Sequence, residues 1–151
     1  MRRLTAFVIG VAGLCAAAGA DISGNAFVEH DGTLRIGGRT IHLYGIHIPR
    51  TEDNCRMNER PVRCNSRAAL ALEFKISGFV RCEPIERFDD GSLTAVCRAD
   101  GEDLSAYLLE RGWALALPDA PFAYVALERI AQQRNVGVWG LSVERIPRGN
   151  R

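Results

Sequence analysis

The stretch from Ala26 to Arg50, AFVEHDGTLRIGGRTIHLYGIHIPR, has the clearest structural pattern in the sequence. Apolar and polar residues alternate on both sides of Gly37-Gly38. That arrangement is typical of a β-hairpin, because glycine adopts the positive φ angles of a tight turn at little steric cost. The flanking runs are Ala26–Val28 with Leu34–Ile36 on one side and Thr40–Ile46 on the other. Pro49 has no backbone N–H to donate, so strand pairing should end before it.

The first twenty residues are typical of a secretory signal peptide. Met1-Arg2-Arg3 is basic, residues 4–18 are mostly apolar, and Ala18-Gly19-Ala20 offers small residues for cleavage after Ala20. The apolar run is short for a membrane span. We therefore expect a signal peptide over residues 1–20, one domain over residues 21–143 and a polar tail over residues 144–151. The mature protein should be periplasmic or secreted, with no membrane span after cleavage.

The charge balance of the mature chain bears on its partners. Removal of the leader leaves 131 of the 151 residues, which is enough for one domain with its own core. The leader holds two of the 19 basic residues and none of the 18 acidic ones, so the mature net charge is −1. Proteins that attract nucleic acid electrostatically usually have a basic face. The balance therefore disfavours a partner bound through its phosphates alone.

Four cysteines follow the leader, namely Cys55, Cys64, Cys82 and Cys97. An even number in an exported chain indicates disulfides, and four cysteines allow three pairings. Cys82 and Cys97 each end a strand-like run, so they can face each other if those runs pair, whereas Cys55 and Cys64 bracket a polar loop. We predict the pairs 55–64 and 82–97. A zinc site is the alternative, but C-x-x-C pairs are absent from the sequence and export favours oxidation.

The rest of the chain reads as helices and strands separated by turn signals. We predict helices over Arg67–Ile76 after an N-cap at Asn65-Ser66, over Leu104–Arg111 after an N-cap at Asp103, and over Ala123–Arg134. Two further strands should meet at the turn Asp89-Asp90-Gly91. Strands with a helix between them, followed by helices, predict a small β-barrel with attached helices.

An ordered set of motifs resembles the thermonuclease (staphylococcal nuclease-like) family over residues 25–139. The motifs are V-x-HDG-T-L at Val28–Leu34, I-x-L-x-G-I-x-x-P at Ile41–Pro49, D-G-x-L-x-A-V-C at Asp90–Cys97, D-G-E-D-L at Asp100–Leu104, R-G-W-A at Arg111–Ala114 and G-V-W at Gly137–Trp139. The resemblance implies an α+β, mainly β, fold, which is a five-stranded OB-fold barrel with about three helices.

The same resemblance implies calcium-dependent phosphodiester hydrolysis, but the positions that perform it have changed. The two calcium-binding aspartates fall on Gly32 and His47. The two phosphate-binding arginines fall on His42 and Ser92, and the glutamate that activates water falls on Arg50. Calcium prefers carboxylate oxygens, and charge on a phosphate needs fixed cations. We therefore expect the calcium site and the catalytic activity to be lost, and we expect no cofactor.

All three histidines, His30, His42 and His47, fall on positions of the former site. Imidazoles suit zinc or another transition metal, so a rebuilt nuclease or phosphodiesterase with a histidine-metal site is the alternative. Neutral polar residues that fill a relaxed pocket would give the same sequence. The pattern leaves both interpretations open.

The function we expect is that of a non-catalytic exported binding or accessory module. OB-fold barrels hold oligonucleotides or oligosaccharides on one face. The candidate partners are a polysaccharide, an envelope protein or nucleic acid. Thermonuclease-like chains of this size occur among rhizobial exopolysaccharide (succinoglycan) biosynthesis genes, and this chain is similar to them, which implies an accessory role in such a pathway.

Overall fold

The computed structural model of the protein describes residues 20–49, 56–57, 60–61 and 64–140. Several predictions fall on other parts of the chain. The leader up to residue 19, the side chain at Arg50, the cysteine at Cys55 and the tail over residues 144–151 all lie outside the described residues. No helix in the ranges given above is long and apolar enough to cross a bilayer.

Within the described residues, ten strands and three helices follow one another. In order they are β1 (Ile22–Val28), β2 (Leu34–Ile36), β3 (Arg39–Leu43), β4 (Ile46–His47), β5 (Arg56–Met57), β6 (Arg60–Pro61), α1 (Cys64–Lys75), β7 (Phe79–Arg87), β8 (Leu93–Ala99), β9 (Glu102–Asp103), α2 (Leu104–Glu110), β10 (Leu115–Ala116) and α3 (Phe122–Gln133). A short 3-10 turn follows at Gly137–Trp139.

Five of these strands close into a barrel. The antiparallel order is β3-β2-β1-β7-β8, and β3 then pairs in parallel with β8, where Ile41 lies opposite Leu93 and Leu43 opposite Ala95. One parallel closure in an otherwise antiparallel five-stranded barrel, with α1 inserted between β3 and β7, is the OB-fold arrangement. The predicted α+β, mainly β, class is confirmed.

The barrel interior is apolar because each strand alternates buried and exposed residues. Strand β8 shows this most clearly, since alternate side chains from Leu93 to Ala99 are fully or almost fully buried. Helix α2 closes the core with Leu104, Leu108 and Leu109, all of them fully buried. Burial of this kind is the main source of stability in a domain of this size.

The predicted hairpin turn is present, but the strand after it is shorter than predicted. Gly37 and Gly38 have φ angles of 58° and 78°, as the turn requires. Strand β3 ends at Leu43, and pairing resumes only at Ile46 in β4. The break lies at Gly45, whose φ is 73° and whose Cβ, if present, would lie 3.0 Å from the ring of Tyr124. The chain bends here so that the bulky ring can pack against the backbone.

The predicted helices are present, with one wrong start. Helix α1 begins at Cys64, three residues before the predicted start at Arg67, so the predicted N-cap at Asn65-Ser66 is wrong. Helix α2 is capped by Asp103 as predicted, and Asp103 Oδ1 accepts hydrogen bonds from the backbone N–H groups of Ser105 and Ala106. Helix α3 lies within one residue of its predicted bounds.

The predicted disulfide between Cys82 and Cys97 is confirmed. The two residues lie opposite each other in the β7–β8 pair, with an S–S distance of 2.06 Å, and both are fully buried. A structural disulfide is compatible with a protein that folds outside the cytoplasm. The second predicted pair includes Cys55, which is not among the described residues, so that pair stays a prediction.

Candidate functional site

A cavity of about 180 Å³ opens at one edge of the barrel, between the β1–β2 loop and the segment that joins β3 to β4. Its lining residues are Asp31, Gly32, Thr33, His42, Leu43, Ile46, His47 and Ile48. Three of the five positions that the nuclease resemblance singles out, Gly32, His42 and His47, therefore lie together as expected. The chemistry they bring to the cavity differs from that of a calcium site.

Two loops beside His42 have the same local structure. In the β1–β2 loop, the N–H of Glu29 donates to the carbonyl of Thr33 at 2.8 Å, and the N–H of Gly32 donates to the carbonyl of Glu29 at 2.9 Å. In the β7–β8 loop, Phe88 donates to Ser92 and Gly91 donates to Phe88, both at 3.0 Å. The barrel therefore has two copies of one five-residue turn at this edge.

Each turn is fixed by an aspartate that hydrogen-bonds two residues ahead. Asp31 Oδ1 accepts from the N–H of Thr33 at 3.0 Å and from its hydroxyl at 2.8 Å. Asp90 Oδ1 accepts from the N–H of Ser92 at 2.9 Å and from its hydroxyl at 2.7 Å. This is the Asx turn that aspartate followed by glycine favours. Asp31 and Asp90 are both exposed, so each turn presents a carboxylate to solvent.

Both carboxylates are held in the ionised form. Burial raises the pKa of Asp31, but hydrogen bonds from Thr33 and the charge of His42 together lower it by more. The pKa of Asp31 therefore lies below its ordinary value. Hydrogen bonds from Ser92 lower the pKa of Asp90, with a further lowering from His42. Hydrogen bonds to a charged carboxylate favour that form. At neutral pH this edge therefore carries two carboxylates.

His42 lies between the two turns. It projects outward from β3, opposite Thr94 of β8, and it lines the cavity with Asp31. Its ring also meets Phe88 edge-on, with ring centroids 6.4 Å apart and planes at 85°. Phe88 is 41% exposed, so much of its ring remains open to a ligand. The result is a cluster of one imidazole, one aromatic ring and two carboxylates, which we call the edge cluster (Asp31, His42, Phe88 and Asp90).

Of the nuclease positions that the structure describes, neither Ser92 nor Gly32 supplies a missing group. Ser92, at an arginine position, is 9% exposed, and its hydroxyl donates to Asp90 within the turn. Gly32, at a calcium position, has a φ of 82°, and a Cβ there would overlap Ile48 Cδ1. An aspartate at position 32 would therefore strain the backbone and displace Ile48.

The three histidines do not form a metal site in this structure. His30 is exposed in the β1–β2 loop and does not line the cavity, unlike His42 and His47. In the part of the chain that the structure describes, no three His, Cys, Asp or Glu side chains are placed so that they could hold a metal ion together.

Sequence reasoning missed the importance of three members of the edge cluster. It placed Asp31 and Asp90 only within motifs and a predicted turn, with no site role, and it did not consider Phe88. A usable signal exists in the sequence, because Asp31-Gly32-Thr33 and Asp90-Gly91-Ser92 are the same turn motif at the two loops that OB-folds use for binding.

The chemistry available at this edge is binding through hydrogen-bond acceptors and an aromatic surface. Ionised carboxylates accept hydrogen bonds from hydroxyl groups, and a ring stacks on other flat or apolar surfaces. Among the described residues, those that line the cavity include no lysine or arginine. A phosphodiester held here would meet the negative charge of Asp31.

Two comparisons with known proteins found no match. No protein-family model matches the chain. No curated protein matches it in sequence.

Proposed function

We propose that this protein is an exported, thermonuclease-like OB-fold module that binds a sugar chain at the edge cluster and does not cleave phosphodiesters. The resemblance of its motifs to the thermonuclease family suggests its origin. The similarity to chains encoded among exopolysaccharide (succinoglycan) biosynthesis genes suggests an accessory role in making or exporting such a polymer.

The observation that carries the proposal is the pair of ionised carboxylates beside an exposed aromatic ring. Asp31 and Asp90 are exposed carboxylates and Phe88 is 41% exposed, all around His42. Sugar hydroxyls donate hydrogen bonds to carboxylates, and charge-assisted hydrogen bonds are the stronger kind. The apolar face of a sugar ring can pack on an aromatic side chain.

The loss of hydrolysis has a backbone cause as well as a side-chain cause. Gly32 occupies a positive-φ position against Ile48, so a calcium-binding aspartate there would strain the backbone and push the Ile48 side chain aside. Ser92 is engaged within its own turn. Removal of one charge-stabilising group commonly costs a hundredfold or more in rate, so the loss of several leaves little catalysis.

Two assays on the oxidised mature chain, from Asp21 onward, test the proposal. In the first, DNA and RNA are incubated with the protein in calcium, in zinc and in chelator, and we expect no cleavage in any of them. In the second, the protein is applied to an array of oligosaccharides that includes fragments of bacterial exopolysaccharides, and we expect retention of a defined subset.

The double variant Asp31→Asn/Asp90→Asn should lose that retention, whereas Asp119→Asn, at an exposed loop position before α3, should keep it. Cleavage that requires zinc and disappears in His42→Ala/His47→Ala would instead establish a rebuilt hydrolase. An array without any retained sugar would contradict the binding function.

A further inference from the structure

Two of the most exposed aromatic side chains of the protein lie on neighbouring barrel strands. Phe27 on β1 is 72% exposed and Phe79 on β7 is 71% exposed. Both side chains point outward. In β1 the neighbours of Phe27 are more buried than Phe27 itself, and in β7 Phe79 is the first residue and is followed by the buried Val80. Contiguous apolar surface exposed on one face of a protein is typical of an interaction site.

Strand register places the two rings on one face of the barrel. Asn25 lies opposite Phe79 in the β1–β7 pair, so Phe27 lies diagonal to Phe79, two residues further along β1. The Cα atoms of diagonal neighbours in an antiparallel pair lie about 7 Å apart. The two rings are not in contact with each other, and we call these two neighbouring exposed rings the outer platform (Phe27 and Phe79).

The outer platform is continuous with the edge cluster. Phe27 lies opposite Arg35 of β2, and Arg35 lies opposite Thr40 of β3. His42, of the edge cluster, is the next outward residue of β3 after Thr40. A path from His42 to Phe79 therefore crosses β2 and β1 on the outside of the barrel. Three strand spacings and an offset of four residues along the strands make it about 20 Å long.

Charges along this path are balanced by neighbouring side chains. Arg35 is ion-paired with Glu29 at 2.7 Å, and Arg81, outward on β7 beyond Phe79, is ion-paired with Asp21. Binding to a nucleic acid backbone requires cations that can neutralise phosphates. A surface with aromatic rings and paired arginines suits an uncharged, ring-containing chain better than a polyphosphate.

We propose that the outer platform is a second subsite for the same ligand, so that the protein binds an extended sugar chain of several rings rather than a single sugar. This inference rests on the proposed function, since the edge cluster supplies the first subsite. One end of the chain hydrogen-bonds to Asp31 and Asp90, and the other end packs on Phe27 and Phe79.

A ladder of defined sugars tests the inference by calorimetry. The probes are cellobiose and cellohexaose, and the proteins are the oxidised mature chain and its variants Phe27→Ala, Phe79→Ala and Phe122→Ala. Phe122 is the matched control, since it is 82% exposed but lies at the start of α3 and away from the barrel path. Melting temperatures verify that each variant is folded.

We expect cellohexaose to bind more tightly than cellobiose. Loss of either platform ring should weaken cellohexaose binding by roughly two- to tenfold, with cellobiose binding unchanged. Phe122→Ala should bind both sugars as the parent does. Equal affinity for the two sugars, or no effect of the platform variants on cellohexaose, would overturn the second subsite while leaving the first intact.

Other outcomes overturn the inference in distinguishable ways. Absence of binding to both sugars contradicts the proposed function itself. Retention of a twelve-nucleotide single-stranded DNA that depends on Phe27 and Phe79, without sugar binding, assigns the platform to nucleic acid. A concentration-dependent dimer that dissociates in Phe27→Ala assigns it to a second copy of this chain.

Discussion

Three aspartates in this barrel each accept a hydrogen bond from the backbone N–H two residues ahead, yet they lie in two regions with different properties. Asp31 and Asp90 belong to the edge cluster, where Oδ1 fixes a turn and the residue is exposed. Asp103 lies at the start of α2, and both of its oxygens are used within the protein. Its Oδ1 caps the helix, and its Oδ2 accepts from the hydroxyl of Tyr124 at 2.7 Å.

Hydrogen bonds around Asp103 hold α2 and α3 against the barrel. Ser105 donates its hydroxyl to the carbonyl of Tyr44 at 2.9 Å, so α2 is tied to the chain after β3, while Tyr124 ties α3 to α2. Burial, together with the hydrogen bond to Asp103, raises the pKa of Tyr124 well above its ordinary value, so the hydroxyl keeps its proton throughout the physiological range. The same type of hydrogen bond holds Asp103 in place to stabilise the packing of α3 on α2, whereas at the edge cluster we propose that it holds an exposed carboxylate in place for a ligand.

Removal of the Cys82–Cys97 disulfide should have the largest effect on the free energy of unfolding. The Cys82–Cys97 bridge closes a loop with a sequence separation of 15 residues, on the two strands whose turn carries Asp90. Its replacement by serines should lower the free energy of unfolding by about 3 kcal/mol, because the unfolded chain gains conformational freedom. Urea unfolding of the oxidised and double-serine proteins measures this, and equal midpoints would contradict it.

Removal of the Asp103 carboxylate should have the next largest effect. Asp103→Ala loses the cap of α2 and leaves the half-buried hydroxyl of Tyr124 without its acceptor, so we expect a loss of about 2 kcal/mol. Asp31→Ala, which removes the aspartate of one edge turn, should lower the free energy of unfolding clearly less. Thermal unfolding of the two variants decides the point, and a larger loss in Asp31→Ala would reverse the roles that we assign to the two regions.

The two equivalent glycines of the edge turns allow a finer comparison. Gly32 and Gly91 have φ angles of 82° and 83°, but only a Cβ at Gly32 would overlap Ile48, since nothing lies within 4 Å of a Cβ at Gly91. Gly91→Ala should cost about 1 kcal/mol from backbone strain alone, and Gly32→Ala should cost more. Equal losses in denaturant unfolding would mean that Ile48 moves away without cost and that the former calcium position is open.

Acid should change the free energy of unfolding least. The direction of that change follows from the lowered pKa values of Asp31 and Asp90. Asp31 and Asp90 titrate below the ordinary value of 3.8 in the folded protein, so the stability they contribute is complete above that pH. It is lost as the pH falls through their folded pKa values. In the variant Asp31→Asn/Asp90→Asn, the stability difference from the parent should therefore shrink between pH 6 and pH 3. A difference that grows over the same range, in urea unfolding, would contradict the lowered pKa values.

Much of the barrel could be predicted from local pattern. The glycine pair at positions 37 and 38, the alternation in β8 and the cap at Asp103 are all properties of neighbouring residues, and each predicted element is present. The errors lie where a distant residue decides the outcome. Strand β3 stops early because Tyr124, from the last helix, packs against Gly45, and no local signal announces that contact.

The candidate site was less accessible to sequence reasoning. The positions that line the cavity could be named from the resemblance, because motif order fixes which residues meet at the barrel edge. The pairing of two identical turns around His42 depends on the parallel closure of β3 against β8, which brings residues far apart in the chain to one edge. Strand order of this kind is not encoded in any short stretch.

Nuclear magnetic resonance of the isotope-labelled mature protein, titrated with cellohexaose, tests whether the edge cluster binds sugar. We expect the backbone amides of both edge turns, at residues 29–33 and 88–92, and the amide of His42 to shift. The amides of residues 103–106, at the capped start of α2, should keep their positions. Shifts confined to the Asp103 region, or no shift at the edge at saturating sugar, would contradict the assignment of binding to the open turns.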